Sequence, residues 1–220
     1  MPGIAGLDSL RRTAMTSGRR LTDLEPAGFV RRAAAFALDL AVAGIAVVVL
    51  LQLVLDPMRQ ALGPGWMRIG AFYVGYVLLT VSLPVWLYFS GYDSSPWQAT
   101  PGKRWLGMRV NSLDGRPVSF VRAFVRTIVK LLPFEIAHIC VALPVNPFVD
   151  PITGELTIPA LDAMHPISLA GLLAALLLFG VVLFSAILHP DGRGAHDLAA
   201  ATFVVRTESA RAPRTEPVGV

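Results

Sequence analysis

Long apolar runs alternate with polar, proline-rich stretches along this chain. Four runs, each longer than 20 residues, lie at 33–55, 66–89, 123–145 and 167–188. A helix of about 20 apolar residues is long enough to cross the hydrocarbon core of a bilayer. The pattern therefore predicts an all-α membrane protein with four transmembrane helices, arranged as two helical hairpins.

The third run is ambiguous, because basic residues interrupt it. A helix drawn over 119–132 carries apolar residues on one side and Arg122, Arg126 and Lys130 on the other. Such a helix either lies in the membrane interface up to Pro133 or forms the cytoplasmic half of a kinked span, since membrane helices tolerate proline. A re-entrant segment and a three-span protein are the remaining alternatives.

The distribution of basic residues predicts the orientation. Of the 19 Lys and Arg residues, 17 lie in 1–32, 90–130 and 189–220, and only Arg59 and Arg68 lie in the opposite loops. Basic residues accumulate on the cytoplasmic side of membrane proteins. Both termini are therefore expected in the cytoplasm, and a three-span arrangement is disfavoured because it would place the arginines after the last run outside.

The polar stretches predict one small β element on the cytoplasmic side. Apolar and polar residues alternate over 106–111 before the turn pair Asp114-Gly115, which is typical of a β-hairpin. The stretch 202–205 has the composition of a strand and is expected to join the same sheet under the helices.

One membrane domain, 28–206, is expected between two disordered tails. The basic tail 1–27 lacks the length and flanks of a cleavable signal peptide. The last segment, 207–220, is rich in Pro, Thr, Glu and Arg, a composition that does not form a packed core.

Composition strengthens the membrane prediction and excludes several classes. Charged residues make up 15% of the chain, against roughly 25% in soluble domains, and the mean hydropathy is +0.60. The pI of about 9.7 favours anionic lipids over nucleic acid as the partner, because no basic stripe interleaved with aromatic residues lies outside the apolar runs. The single cysteine, Cys140, excludes an intrachain disulfide and a multi-thiolate metal site. No enzymatic activity, cofactor or metal is expected.

Asp39 is the most informative residue, because a charge in hydrocarbon costs about 2.5–3.5 kcal/mol without a partner. It lies six residues after Ala33, about 9 Å into the bilayer at 1.5 Å per residue. Arg32, on the same helix, leans away from it. We therefore predict an ion pair between Asp39 and Lys130 or Arg126 of another helix, which either joins the two hairpins or serves an ion or proton pathway.

Glu135 and His138 stand three residues apart on the same helix face, deeper than Lys130. They are candidates for a proton relay with Asp39, because histidine titrates near neutral pH. A mutual hydrogen bond near the outer end of the helix is the simpler interpretation.

Asp197 lies in a turn near the end of the domain. It is expected to cap the short helix that follows, or to pair with Arg193 or Lys103. His196 beside it is a secondary candidate, although no zinc-type ligand spacing is present.

Three segments resemble the motifs of the RDD family of bacterial membrane proteins. They lie at 28–39 (GFVRRAAAFALD), 100–110 (TPGKRWLGMRV) and 194–205 (GAHDLAAATFVV). The family is named for one arginine and two aspartates, and the resemblance assigns these places to Arg32, Asp39 and Asp197. It implies a small bacterial inner-membrane protein, with transport, including sodium/proton exchange, proposed for some members.

Two functions are consistent with these observations. The first is a cation or proton-coupled transporter, expected to be oligomeric because four helices with one intramembrane acid barely enclose a pathway. The second is a non-transporting accessory or scaffold subunit of a larger membrane complex. The lack of a broken helix or inverted repeat in the sequence slightly favours the second.

Overall fold

A computed structural model describes residues 25–63, 69–113, 116–142 and 164–207. The elements are, in chain order, α1 (Phe29–Leu62), α2 (Gly70–Ser94), α3 (Pro101–Trp105), β1 (Met108–Ser112), α4 (Phe120–Ala142), α5 (Pro166–Leu188), α6 (Ala195–Ala199) and β2 (Thr202–Arg206). The protein is mostly helical, with one small sheet. Apart from Ile69, which precedes α2, the four predicted spans fall within the four long helices wherever the structure describes them.

Two of the long helices in the described part of the chain, α2 and α5, are long and apolar enough to cross a membrane. The buried residues of α5 form one stripe at seven-residue spacing, Ser168, Ala175 and Val182. Large apolar side chains elsewhere on this helix stay exposed, including Leu177 at 74% and Leu188 at 83%. A contiguous apolar surface of this kind is typical of a helix that contacts lipid.

The helix α4 runs through Pro133 without ending. The alternative in which a basic helix stops at Pro133 is therefore wrong, and the basic half and the apolar half belong to one element. This helix packs against α2 on one side and α5 on the other. Aromatic pairs occupy both contacts, Trp86 with Phe124 and Phe134 with Phe179.

The sheet differs from the predicted hairpin. Strand β1 pairs antiparallel with β2, from Met108–Arg206 to Ser112–Thr202. The turn pair Asp114-Gly115 lies outside the described residues, and the residues after it contribute one backbone bond, from the Ser112 amide to the carbonyl of Arg116 at 3.3 Å, but no strand. The joint sheet of the central and C-terminal segments is confirmed, but the hairpin is wrong. A β2 partner 90 residues away satisfies the backbone groups of β1, which local alternation cannot reveal.

The segment before α1 also joins β2. The amide of Ala27 donates to the carbonyl of Val204 at 2.9 Å, and the amide of Arg206 donates to the carbonyl of Glu25 at 3.1 Å. Residues 25–27, predicted as the end of a disordered tail, are thus held by the sheet. The remaining tail residues, 1–24 and 208–220, lie outside the described residues.

Candidate functional site

A buried charge cluster lies where the first turns of α1 and α4 and the last turn of α2 meet the short helices α3 and α6. Its members are ionisable side chains that are buried or nearly so: Arg32, Asp39, Asp93, Lys103, Arg126, Lys130 and Asp197. Six of the seven were predicted as site residues from the sequence, and the structure brings them together from five elements. Burial of this many charges requires partners.

Arg126 is the centre of the ion pairs. Its Nε donates to Asp197 Oδ1 at 2.9 Å, and its Nη1 donates to Asp93 Oδ2 at 2.6 Å. Lys103 bonds to the other oxygen of Asp93, and Arg32 bonds to the other oxygen of Asp197. Each of these two fully buried carboxylates is therefore held between two cations, and the pairs connect five elements.

Asp197 has a second role at the start of α6. Its carboxylate accepts the amide of Gly194 at 3.0 Å. Asp197 therefore caps a helix that begins before it, at Ala195, and does so from the first turn of that helix, not from the position before a helix that follows it, as predicted. Burial by itself would raise the pKa of Asp197, but Arg126, His196 and Arg32 hold that pKa well below its usual range. The carboxylate therefore stays ionised.

Arg193 and Lys103 do not pair with the Asp197 carboxylate as predicted. Arg193 Nε donates to the carbonyl of Thr202 at 3.1 Å, which attaches the α6 turn to β2. Lys103 is used by Asp93, and burial lowers the pKa of its ammonium while Asp93 opposes that shift. Lys103 thus pairs with the Asp93 carboxylate on α2, and Arg32 pairs with Asp197 instead.

Asp39 is fully buried, but the predicted ion pair with Lys130 or Arg126 is wrong. Its carboxylate accepts the Tyr88 hydroxyl at 3.1 Å, the Thr100 hydroxyl, and the Gly102 amide at 2.8 Å. Neutral donors replace the cation because the segment before α3 folds back against α1, whereas the sequence placed it in a cytoplasmic loop. Three hydrogen bonds stabilise an ionised carboxylate without a salt bridge.

Gly102 is required for this contact. A Cβ atom at this position would lie 2.5 Å from the carbonyl oxygen of Ala35 and 2.9 Å from Asp39 Oδ1. Only glycine lets the backbone of α3 approach α1 this closely. The second motif of the sequence, 100–110, therefore supplies the lining of the Asp39 carboxylate.

Lys130 differs from the other cations of the cluster. Its Nζ lies 3.4 Å from the centroid of the Phe89 ring and 4.9 Å from that of Phe36. No oxygen of the described residues pairs with it. The buried charge cluster contains four cations and three carboxylates, so Lys130 is the cation without a carboxylate of its own.

A cavity of about 80 Å³ adjoins Lys130 between α1, α4 and α5. Its polar lining consists of Arg32, Asp39, Lys103, Arg126, Lys130 and His196. Its apolar lining comes mainly from α1 and α5. The cavity thus has a mostly cationic side and an apolar side.

His196 contributes a neutral ring to this lining. Its Nε2 lies 3.4 Å from Nη2 of Arg32, and because arginine only donates, Nε2 is the acceptor and Nδ1 carries the proton. That Nδ1 has no hydrogen-bond partner among the described residues. Burial lowers the pKa of His196 to about 3, so the ring is uncharged at neutral pH.

Glu135 and His138 form a separate site along α4. Glu135 accepts the Ser82 hydroxyl at 2.7 Å and the Trp86 indole N–H at 3.2 Å, and His138 Nδ1 lies 3.6 Å from Glu135 Oε2. The two are neighbours, but the predicted mutual hydrogen bond is not formed, because His138 Nδ1 has no hydrogen-bond partner among the described residues. Glu135 is held by α2 instead, where the backbone forms a π-helical turn over Leu78–Ser82. Their participation in a proton relay stays a prediction.

Asp93 is the site residue that the sequence interpretation missed. It is the one acid between 57 and 113, and it follows an apolar run of α2. An isolated acid at the end of a span, close in sequence to several cations, was the available signal. Among the described residues no group of three or more His, Cys, Asp or Glu side chains is placed to hold a metal ion.

Comparison with known proteins gives one match. A family model described as RDD family matches residues 26–201, four fifths of the chain, and this range contains every member of the buried charge cluster. The resemblance of the three sequence motifs is thereby confirmed. No curated protein and no solved structure matches the chain.

Proposed function

We propose that this chain, which belongs to the RDD family of membrane proteins, is a four-span integral membrane protein with a proton-coupled transport activity at the cavity beside Lys130. The proposed location is the bacterial inner membrane, with both termini in the cytoplasm, in contact with anionic lipids. The observation that carries the proposal is the lone buried ammonium of Lys130, in a cavity that it shares with Asp39.

The charges of α1 and α4 do not oppose a four-span topology. The 34 residues of α1 span about 51 Å and the 23 residues of α4 about 34 Å, against about 30 Å of hydrocarbon. The ionisable residues that lower their hydropathy near the cluster, such as Asp39 and Arg126, are buried against other elements. They therefore do not need to face lipid.

Proton transfer at Lys130 would change the charge balance without breaking an ion pair. Loss of one proton would leave three cations and three carboxylates in the cluster. The charged and titratable groups around the ammonium are Arg32 and Asp39 on α1, Asp93 on α2, Lys103 on α3, Arg126 on α4, and His196 on α6. Asp197 on α6 is bonded to Arg126. The side of the cavity formed by α5 is apolar.

A sodium ion fits this cavity poorly. Four of the polar lining groups are cations, and the one carboxylate, Asp39, already accepts three hydrogen bonds. Repulsion between like charges at a few ångströms is strong in a poorly solvated site. The proposal is therefore for protons at this site rather than for a metal cation.

The alternative is a non-transporting accessory or scaffold subunit, either within a larger complex or as a homo-oligomer. The ion pairs of Asp93 and Asp197 with Arg126, Lys103 and Arg32 favour it, because they hold five elements in one arrangement. A core held by ion pairs of this kind serves a docking platform as well as a transporter.

Proton flux into proteoliposomes distinguishes the two functions. With purified full-length protein, an internal pH dye and a potassium gradient with valinomycin, the wild type should acidify vesicles faster than empty liposomes do. Lys130→Met should abolish the difference, and Asp39→Asn should reduce it. Arg104→Met, at an exposed cation, is the matched control and should behave as wild type.

Folding of each variant is checked by monodisperse elution and by its thermal transition in detergent. Wild-type vesicles that acidify no faster than empty ones would contradict the transport proposal. Co-purification with a larger membrane complex would then favour the scaffold function.

A further inference from the structure

The ammonium group of Lys130 lacks the hydrogen-bond acceptors that a buried lysine requires. The residue is 9% exposed, and its head group lies over the rings of Phe89 and Phe36. Aromatic faces attract a cation, but the three N–H groups still need acceptors. No described residue supplies one, so the acceptor is expected to come from the cavity.

The charge of the surroundings favours an anion over water as that acceptor. With every member ionised, the buried charge cluster carries one more positive than negative charge, and water does not compensate it. His196, whose buried Nδ1 has no hydrogen-bond partner among the described residues, lines the same cavity. An oxygen-bearing anion would both accept hydrogen bonds from the Lys130 ammonium and neutralise the excess positive charge.

The cavity has a size and a shape that suit a small anionic group. Its volume of about 80 Å³ is several times the roughly 10–15 Å³ that one water requires. Two helix faces form much of its wall, with lining residues spaced three and four apart, Phe29, Arg32 and Phe36 on α1 and Phe179, Val182 and Ala186 on α5.

We propose that this cavity binds one oxyanion group, a carboxylate or a phosphate, with its oxygens on Lys130 and with apolar contacts to α5. The group would come either from an anionic lipid or from a small free acid, which share this chemistry. The role of this anion as the cargo of transport rests on the proposed function. Its binding to the cavity is tested independently of proton flux.

Binding is measured on the purified full-length chain in two arms. Calorimetric titration with acetate and with inorganic phosphate, in a chloride buffer of constant ionic strength, tests the free acid. Native mass spectrometry from micelles containing phosphatidylglycerol or phosphatidylcholine tests the lipid. We expect saturable binding in one arm, with a preference for phosphatidylglycerol over phosphatidylcholine if the lipid is the source.

Two variants test the site in different ways. Lys130→Met removes the cation and should weaken binding by about tenfold or more, the loss expected for a buried charge-assisted hydrogen bond. Val182→Phe keeps every charge, fills the cavity from α5 and should also abolish binding. Arg104→Met should bind as wild type does.

Stability without ligand provides a readout that a merely structural lysine would not give. Lys130→Met should raise the thermal midpoint of the ligand-free protein, because it removes an uncompensated buried charge. Added anion should raise the midpoint of the wild type but not of this variant.

The inference is overturned if neither arm shows binding to the wild type, or if both cavity variants bind as it does. Binding without proton flux would retain the anion site and contradict the proposed function. Proton flux without anion binding would retain the proposed function and contradict the anion site.

Discussion

At the scale of single residues, Asp39 shows how far sequence reasoning reaches. Its burial was predictable, because an acid inside an apolar run must be shielded from lipid. Its hydrogen-bond partners were not. Asp39 and Lys130 were expected at the same depth in the membrane on two helices, which favoured an ion pair between them. The actual donors include the Tyr88 hydroxyl and the Gly102 amide at the start of α3. A backbone amide carries no sequence signal for this role.

Gly102 provides a direct test of that arrangement. Gly102→Ala should lower the free energy of unfolding by about 1–3 kcal/mol, since its Cβ would meet the backbone oxygen of Ala35 and push α3 away from Asp39. Denaturant titration of the purified protein in detergent measures the change. Gly91→Ala in α2 is the control, because nothing lies within 4 Å of a Cβ there, and it should be neutral or slightly stabilising. Equal effects of the two substitutions would contradict the predicted close contact.

His196 predicts a pH dependence of stability. Its pKa is about 3 when folded and about 6.5 when unfolded, so between these values the unfolded chain binds the extra proton and stability falls as the pH falls. From pH 7 to pH 5 the loss should be about 2 kcal/mol. The charged groups around the ring are Arg32, Arg126, Lys130 and Asp197.

The variant His196→Gln, which does not titrate, isolates this contribution. Denaturant titrations at pH 7 and pH 5 should show a clearly smaller decrease for the variant than for the wild type. An identical decrease in both proteins would assign the pH dependence to other groups.

At the scale of elements, long helices were predictable and their partners were not. Apolar runs of more than 20 residues fixed α1, α2, α4 and α5, because local hydropathy determines them. Strand β1 was recognised as a strand and β2 was expected in the same sheet, yet the direct partner of β1 was assigned to the neighbouring residues because a hairpin is the shortest connection. Pairing with β2 depends on how the helices bring distant segments together, which alternation along the chain does not encode.

The contact between α4 and α5 can be tested at Gly171. A Cβ there would overlap the side chain of Cys140, so Gly171→Leu should separate the two helices and lower the thermal midpoint by several degrees. Gly180→Leu lies on the same helix, where a Cβ meets nothing within 4 Å, and should leave the midpoint close to that of the wild type. A larger loss for Gly180→Leu than for Gly171→Leu would contradict the observed packing of α5 on α4.

At the scale of the whole molecule, the charge asymmetry of the chain corresponds to the position of the cluster. The cluster and the sheet lie at the end of the molecule where α1 begins, and cations of the described residues at that end, such as Arg32 and Arg126, belong to segments that the sequence predicts to be cytoplasmic. That location is predicted from counts of Lys and Arg alone and stays a prediction. The sequence could not predict that buried pairs, rather than exposed loops, would use several of those cations.

Cysteine labelling tests whether α1 crosses the membrane. Val30 and Leu62 lie near opposite ends of α1, about 48 Å apart along the helix, and are 79% and 60% exposed. In a Cys140→Ser background, a membrane-impermeant maleimide added to intact cells should label Leu62→Cys and not Val30→Cys. Labelling of both after the membrane is opened is the control, and the reverse pattern would contradict the proposed orientation.

The sheet has a consequence for how the protein is made. Strand β2 pairs with the residues just before α1 and with β1 in the middle of the chain. The sheet is therefore complete only when segments from the beginning, the middle and the end of the polypeptide are together. A nascent chain whose helices are already inserted in the membrane cannot form this sheet until residue 206 has left the ribosome. In ribosome-bound chains that stop shortly before β2, the residues before α1 and strand β1 should therefore remain susceptible to protease.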